Sequence, residues 1–148
     1  MKNKKSKKSA NKGFPIWGWA ILVVIVLAII GAIVLQPSKP AAMVYPAEIT
    51  AAQAAEKRSQ GAFILDVREP SEWTQVHIPG AVLIPLGALP DRLNEVPKDK
   101  EVIVVCHSGN RSAKGRDILR AAGFNRVTSM AGGMTAWQAQ GLPIATGQ

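Results

Sequence analysis

The sequence predicts an α/β layered domain with a mostly parallel sheet, preceded by a single apolar N-terminal helix. Three observations carry that reading. From residue 45 onward, short apolar runs bounded by turn formers alternate with helical stretches. Val102-Ile103-Val104-Val105 is four consecutive β-branched residues, as a central strand covered on both faces requires. Residues 14–35, FPIWGWAILVVIVLAIIGAIVL, carry no charge over their whole length.

The N-terminal elements come first. Of 18 basic residues in the 148-residue chain, six (Lys2, Lys4, Lys5, Lys7, Lys8, Lys12) fall in residues 1–13, where no acid occurs. The rest of the chain then holds 12 bases against 10 acids, so the formal charge of +8 belongs mainly to a tail. A folded basic patch of the kind nucleic acid needs is absent, and no nucleic-acid partner is expected. As a helix, residues 14–35 would span roughly 33 Å, against roughly 30 Å of hydrocarbon. A cleaved signal peptide shares the basic start, but its apolar region is about 7–15 residues and ends at a small-x-small pair. QPSKPAAMV offers no such pair after Leu35. Trp17 and Trp19 beside the lysines suit a membrane interface, and the lysines place the N-terminus in the cytoplasm. The expectation is therefore a basic cytoplasmic tail over 1–13, a transmembrane helix over 14–35, a tether over 36–44 and a domain over 45–148. That domain would be periplasmic or extracytoplasmic, on a single-pass protein of a bacterial inner membrane.

Within the domain, Thr50 is placed to cap a helix over 51–58 that ends before Gly61. Residues 63–67 read as a buried strand. Residues 70–75 form one or two helical turns with Pro70 near the start. A strand over 81–84 stops at Pro85, and a short helix over 86–93 is kinked at Pro90. After the central strand 102–105 come a helix over 112–122 stopped by Gly123, a strand over 127–130, and a helix over 134–140 following Gly132-Gly133. About 104 residues suffice for one small core.

The chemistry lies in Cys106-His107-Ser108-Gly109-Asn110-Arg111-Ser112, between the central strand and a helix. In a parallel sheet the ligand crevice lies beyond the C-terminal strand ends. A loop there that runs into a helix turns several main-chain N–H groups toward one point and forms an anion site. A cysteine at its rim has its thiolate, the reactive form, stabilised by the same field. Gly109 lets the loop curl, Arg111 offers a cationic fork to an oxyanion or to the sulfur, and Ser112 suits the helix cap and can offer its hydroxyl to the same charge. The alternative, a buried apolar cysteine, needs neither the glycine nor the arginine. One cysteine excludes an internal disulfide and a multi-cysteine metal site, and two histidines with that cysteine share no ligand spacing. Neither metal nor cofactor is expected. Asp66 and Arg68 suit an internal ion pair, His77 a pinned turn, and Lys114 and Arg116 a solvated helix face.

These residues carry a resemblance. Leu65 to Glu69 with Glu72-Trp73, His77 to Ala81, Cys106 to Ser112, and Gly123-Phe124 with Gly132 to Trp137 resemble, in order, the signatures of the single-domain rhodaneses, the thiosulfate sulfurtransferase family. The resemblance covers about residues 45–143 and not the lysine tail or the apolar segment. It implies a small domain around a five-stranded, mainly parallel sheet. It further implies that Cys106 takes a sulfane sulfur from a small anionic donor such as thiosulfate and passes it to a thiol or protein-cysteine acceptor. The amides from His107 through Ser112 would hold the persulfide's outer sulfur. Four residues separate Cys106 from Arg111, as the resemblance implies for sulfur transfer; related cysteine phosphatases have five. A non-catalytic rhodanese-like module that binds a protein or senses redox state at the membrane is the competing class. Loss of the cysteine usually marks that class, and Cys106 is present.

Overall fold

The computed structural model describes residues 16–34 and 45–147, with side chains in the first segment placed for residues 17–31. The lysine tail and the 36–44 tether lie outside the described residues. The chain divides into two units, Met1–Ala42 and Met43–Gln148.

The first unit contains helix α1, Ile16–Val34, 19 residues long and without acidic or basic residues in its terminal turns. The segment expected to cross a membrane is thus helical over most of its length. Among the described residues no helix is long and apolar enough to cross a membrane. The placed side chains, 17–31, cover only about 22 Å at 1.5 Å per residue, short of a roughly 30 Å hydrocarbon layer.

The second unit is built on five strands: β1 (Glu48–Ile49), β2 (Phe63–Asp66), β3 (Val82–Leu83), β4 (Val102–Val105) and β5 (Val127–Met130). They lie in the order β1-β5-β4-β2-β3, and every pairing is parallel. Strand β4 is therefore central, and its four residues are at most 1% exposed. Because strand side chains alternate, Val102 and Val104 enter a core with Leu65, Leu119 and Val127, beneath helix α4 (Asn110–Ala121). Ile103 and Val105 enter a second core with Ile64, Met130 and Trp137. Helices α2 (Ala51–Ser59) and α5 (Gly133–Ala139) supply that second layer. Helix α3 (Pro70–Trp73) is a single turn after β2.

Local chemistry explains the boundaries. Thr50 caps α2 as expected, with its Oγ1 accepting from the Gln53 amide at 3.3 Å. The Gln53 side chain accepts from the Thr50 amide at 2.9 Å, completing a capping box. Strand β1 was not foreseen, since two residues carry no alternation to read. In place of the helix expected over 86–93 there are two 3₁₀ turns, Leu89–Asp91 and Leu93–Glu95. Pro90 removes one donor and restricts the residue before it, which favours the tighter, shorter turn. Helix α4 starts at Asn110, two residues before the expected position, and Gly109 is its N-cap with φ +108°. Ser112 is consequently inside the first turn and is not the cap.

Candidate active site

The Cys106 loop sits where the order of the sheet places it, beyond the C-terminal end of β4. Cys106 continues the alternation of that strand and points with Val104 into the α4 core, 1% exposed. The chain then reverses at Gly109, whose positive φ admits glycine far more readily than any other residue. That reversal turns the Gly109 amide back to donate to Cys106 Sγ at 3.1 Å. Ser112 Oγ lies 3.6 Å from the sulfur and donates to the Gly109 carbonyl at 2.7 Å. The hydroxyl has one proton, so ionisation of the thiol gives it a second place to donate.

Two influences oppose each other on Cys106. Burial, the largest single one, pushes the thiol up. The Ser112 hydroxyl and the amides of Ser112, Gly109 and Ser108 together pull it down, and the balance lies below the ordinary thiol value. The ring of donors is smaller than the whole loop from His107 to Ser112. His107, Ser108 and Asn110 have exposed side chains, and of these residues only the Ser108 main chain favours the thiolate.

The loop is held from outside by a second helix that the sequence did not connect with it. Gly132 and Gly133 both have positive φ and let α5 begin directly against the loop. The Met134 amide donates to the Cys106 carbonyl at 2.8 Å, and the Thr135 amide and hydroxyl each donate to the His107 carbonyl at 3.1 Å. With those carbonyls drawn outward, the following amides turn inward to the sulfur. A Cβ at Gly133 would fall 2.6 Å from the His107 carbonyl, so no side chain fits there. The sequence signals were the Gly-Gly pair ahead of a helix and the resemblance of Gly132 to Trp137 to a family signature, neither of which names the loop as the contact.

Arg111, expected to offer its fork to an oxyanion or to the sulfur, has its terminal nitrogens engaged elsewhere. Its guanidinium grips Glu72 of α3 with two parallel bonds, Nη1 to Oε2 at 2.6 Å and Nη2 to Oε1 at 2.7 Å. The Arg111 fork is the main reason the Glu72 carboxyl is lowered from 4.5 to about 2. The same pairing raises Arg111 further, and the nearby Cys106 charge adds to that.

Asp66, Arg68 and His77 hold structural positions, as read from the sequence, whereas Arg116, read as part of a solvated face, is packed with its side chain 15% exposed. Arg68 and Asp66 form a buried pair at 2.6 Å, and Arg68 Nη2 also donates to the Val76 carbonyl at 2.7 Å. His77 stacks on Trp73 at 3.8 Å, and its Nδ1 lies 3.1 Å from the Trp73 carbonyl. Arg116 turns away to Asp117, the Ala47 carbonyl and Ser129. Lys114 is exposed. Between α3 and the start of α5, a cleft of about 340 Å³ opens beside the loop, bordered by Arg68, Glu72, His107 and Met134 among others.

The comparisons with known proteins agree with this geometry. A sulfurtransferase of Allochromatium vinosum is 38% identical over 86 residues, covering 58% of this chain and 80% of that protein. The thiosulfate sulfurtransferase of Pseudomonas syringae is 37% identical over 86 residues, covering 58% and 81%. The crystal structure of a rhodanese-related protein from Thermoplasma volcanium superposes with a TM-score of 0.63 at 32% identity, covering 68% of this chain and 98% of that one. The rhodanese-like domain profile matches residues 50–140, the whole stretch from the cap of α2 through α5. On that match, and on a parallel sheet that carries its cysteine loop at the central strand's end, the chain belongs to the rhodanese-like domain family.

Proposed function

We propose that the protein is a sulfurtransferase that carries sulfane sulfur as a persulfide on Cys106. The observation that carries this reading is the Gly109 amide aimed at Cys106 Sγ from 3.1 Å, in a loop whose curvature is fixed from both sides. Thiolate is the nucleophilic form, and the donors that favour it are already in place before a substrate arrives. With thiosulfate, the thiolate attacks the outer sulfur. A Cys106–S bond forms, the donor's S–S bond breaks, and sulfite departs with the electron pair. The resulting Cys106–S–S⁻ keeps one negative charge among the same main-chain donors. A thiol or protein-cysteine acceptor then removes the outer sulfur and regenerates the thiolate, which is double displacement through a covalent intermediate. The acceptor must come from outside, because Cys106 is the chain's single cysteine.

The reading includes a membrane address. Helix α1 exposes Trp17, Ile21, Val24, Leu27 and Ile30 around its circumference. A helix apolar all round belongs in a nonpolar surrounding, protein or lipid. With the lysines of residues 2–12 retained in the cytoplasm, residues 14–35 anchor the chain and the domain works on the extracytoplasmic side.

Intact-protein mass spectrometry of the full chain after thiosulfate treatment tests the chemistry. The expected result is a mass gain of one sulfur atom on Cys106, lost on addition of cyanide and absent from Cys106→Ser. An unmodified thiol with no thiocyanate produced would overturn the sulfur-transfer reading.

A further inference from the structure

We propose that Glu72 sets donor specificity: by occupying the Arg111 guanidinium, it biases the site toward sulfur donors bearing one negative charge, organic persulfides R–S–S⁻, over dianionic donors such as thiosulfate. The inference rests on the sulfur-transfer reading of the same loop. Arg111 is the only lysine or arginine between Cys106 and Ser112, and both its terminal nitrogens are engaged by one carboxylate at 2.6 and 2.7 Å. Glu72 is anchored from its own side too, where its Oε2 accepts from the Glu69 amide at 3.1 Å. Arg68, which lines the cleft beside Glu72, is matched by Asp66 and the Val76 carbonyl. Gln75 and Gln138, also at its border, are uncharged. Among the described residues, the arginine lining this cleft, Arg68, faces a carboxylate, and so does Arg111 of the adjoining loop.

Electrostatics then discriminates by charge. Coulomb energy scales with the product of the charges, so whatever field the pair leaves acts twice as strongly on a dianion as on a monoanion. Neutralising Arg111 removes attraction from thiosulfate twice over and from a persulfide once. The sulfur step itself is the same for both. Thiolate attack forms Cys106–S–S⁻ and expels sulfite from thiosulfate or R–S⁻ from the persulfide, charge conserved in each case, with no outside oxidant. Glu72 thus acts through Arg111 as a positioning residue.

The test uses the full chain in mild detergent and compares E72Q with the unaltered protein. Glutamine can still accept the Glu69 amide, so the first turn of α3 is kept while the charge is removed. The rate of Cys106 persulfidation is followed against concentration for two donors, thiosulfate and the persulfide of N-acetylcysteamine, a monoanion. E72Q is expected to raise kcat/KM for thiosulfate on the order of tenfold, mainly through KM, and for the monoanion about threefold. The donor ratio therefore shifts roughly threefold toward thiosulfate. R111Q alone, which leaves the Glu72 charge bare, should move the ratio the opposite way, away from thiosulfate, and a charge-conserving R111K should move it far less. A folded E72Q with an unchanged or reversed ratio overturns the proposal, as does a folded R111Q whose ratio does not fall. Salt supplies a measurement that needs no variant. A pre-neutralised site predicts a shallow dependence of thiosulfate kcat/KM on ionic strength, and a steep fall with salt would count against it. If neither donor sulfurates Cys106, the sulfur-transfer reading fails and takes this inference with it. If both do and the ratio ignores Glu72, only this inference fails.

Discussion

Ser112 is the residue on which the state of the nucleophile turns. Its hydroxyl is the first of the influences that draw the Cys106 thiol down against burial, ahead of the main-chain amides. Ser112→Ala deletes that donor and leaves the buried sulfur with amides alone. The thiol then rises toward its ordinary range. The acid limb of the pH–rate profile should move to higher pH, because a smaller fraction is thiolate at any pH below it. At neutral pH the rate should fall on the order of tenfold, the loss expected for one hydrogen bond to a charged group. A pH–rate profile of the variant checks this, and an unmoved limb would remove Ser112 from the account. Of the two services read for Ser112 from the sequence, the hydroxyl offered to the sulfur agrees with the structure, while the helix cap is Gly109. The partner of Arg111 was out of reach of a linear reading. Glu72 lies 39 positions earlier, and only the fold of β2, α3 and α4 brings the two together.

At the scale of elements, the site is a contact between two helix starts. Helix α4 grows out of the nucleophile loop, and α5 presses on the loop's carbonyls. Gly133→Ala should break that contact twice over: φ is +53°, and the added methyl would meet the His107 carbonyl. A cost of about 1–3 kcal/mol from backbone strain, with steric displacement added, is expected. Thermal unfolding should show a lower midpoint, and sulfur transfer should fall more steeply than stability, since the amides facing Cys106 lose their alignment. A variant that unfolds earlier yet transfers sulfur at the original rate would uncouple α5 from the site. Elements with strong local signals were legible beforehand. The β-branched run 102–105, the Thr50 cap and the glycine stops at 61 and 123 fix their elements without help from elsewhere. The rest was set by tertiary contact. Strand β1 exists because Glu48 and Ile49 pair with Ser129 and Met130, not because two residues prefer extension. The turns around Pro90 follow packing of Leu89 into the α4 core.

At the scale of the whole molecule, the chain joins an apolar helix to a domain whose cores are filled on their own account. The basic residues of the tail and the aromatic pair Trp17 and Trp19 define an orientation for that helix. The full chain should sediment with membranes and resist carbonate extraction. Cys106 is a poor reporter of sidedness because it is buried. A cysteine placed at exposed Gln140, in a Cys106→Ser background, serves instead. A membrane-impermeant maleimide should label it in spheroplasts without lysis. Labelling that requires lysis would place the domain on the cytoplasmic side and reverse the proposed topology.

The dependence of the loop on Met134 and Thr135 also fixes when the protein becomes chemically competent. During synthesis the cysteine leaves the ribosome more than twenty residues ahead of the amides that shape its surroundings. Until α5 has emerged and docked, the sulfur is an ordinary thiol in an unformed turn, slow to react with stray electrophiles or oxidants. Reactivity is thus conferred by a segment translated after the cysteine, and a chain released before Gly133 carries the sulfur without the helix that shapes its loop.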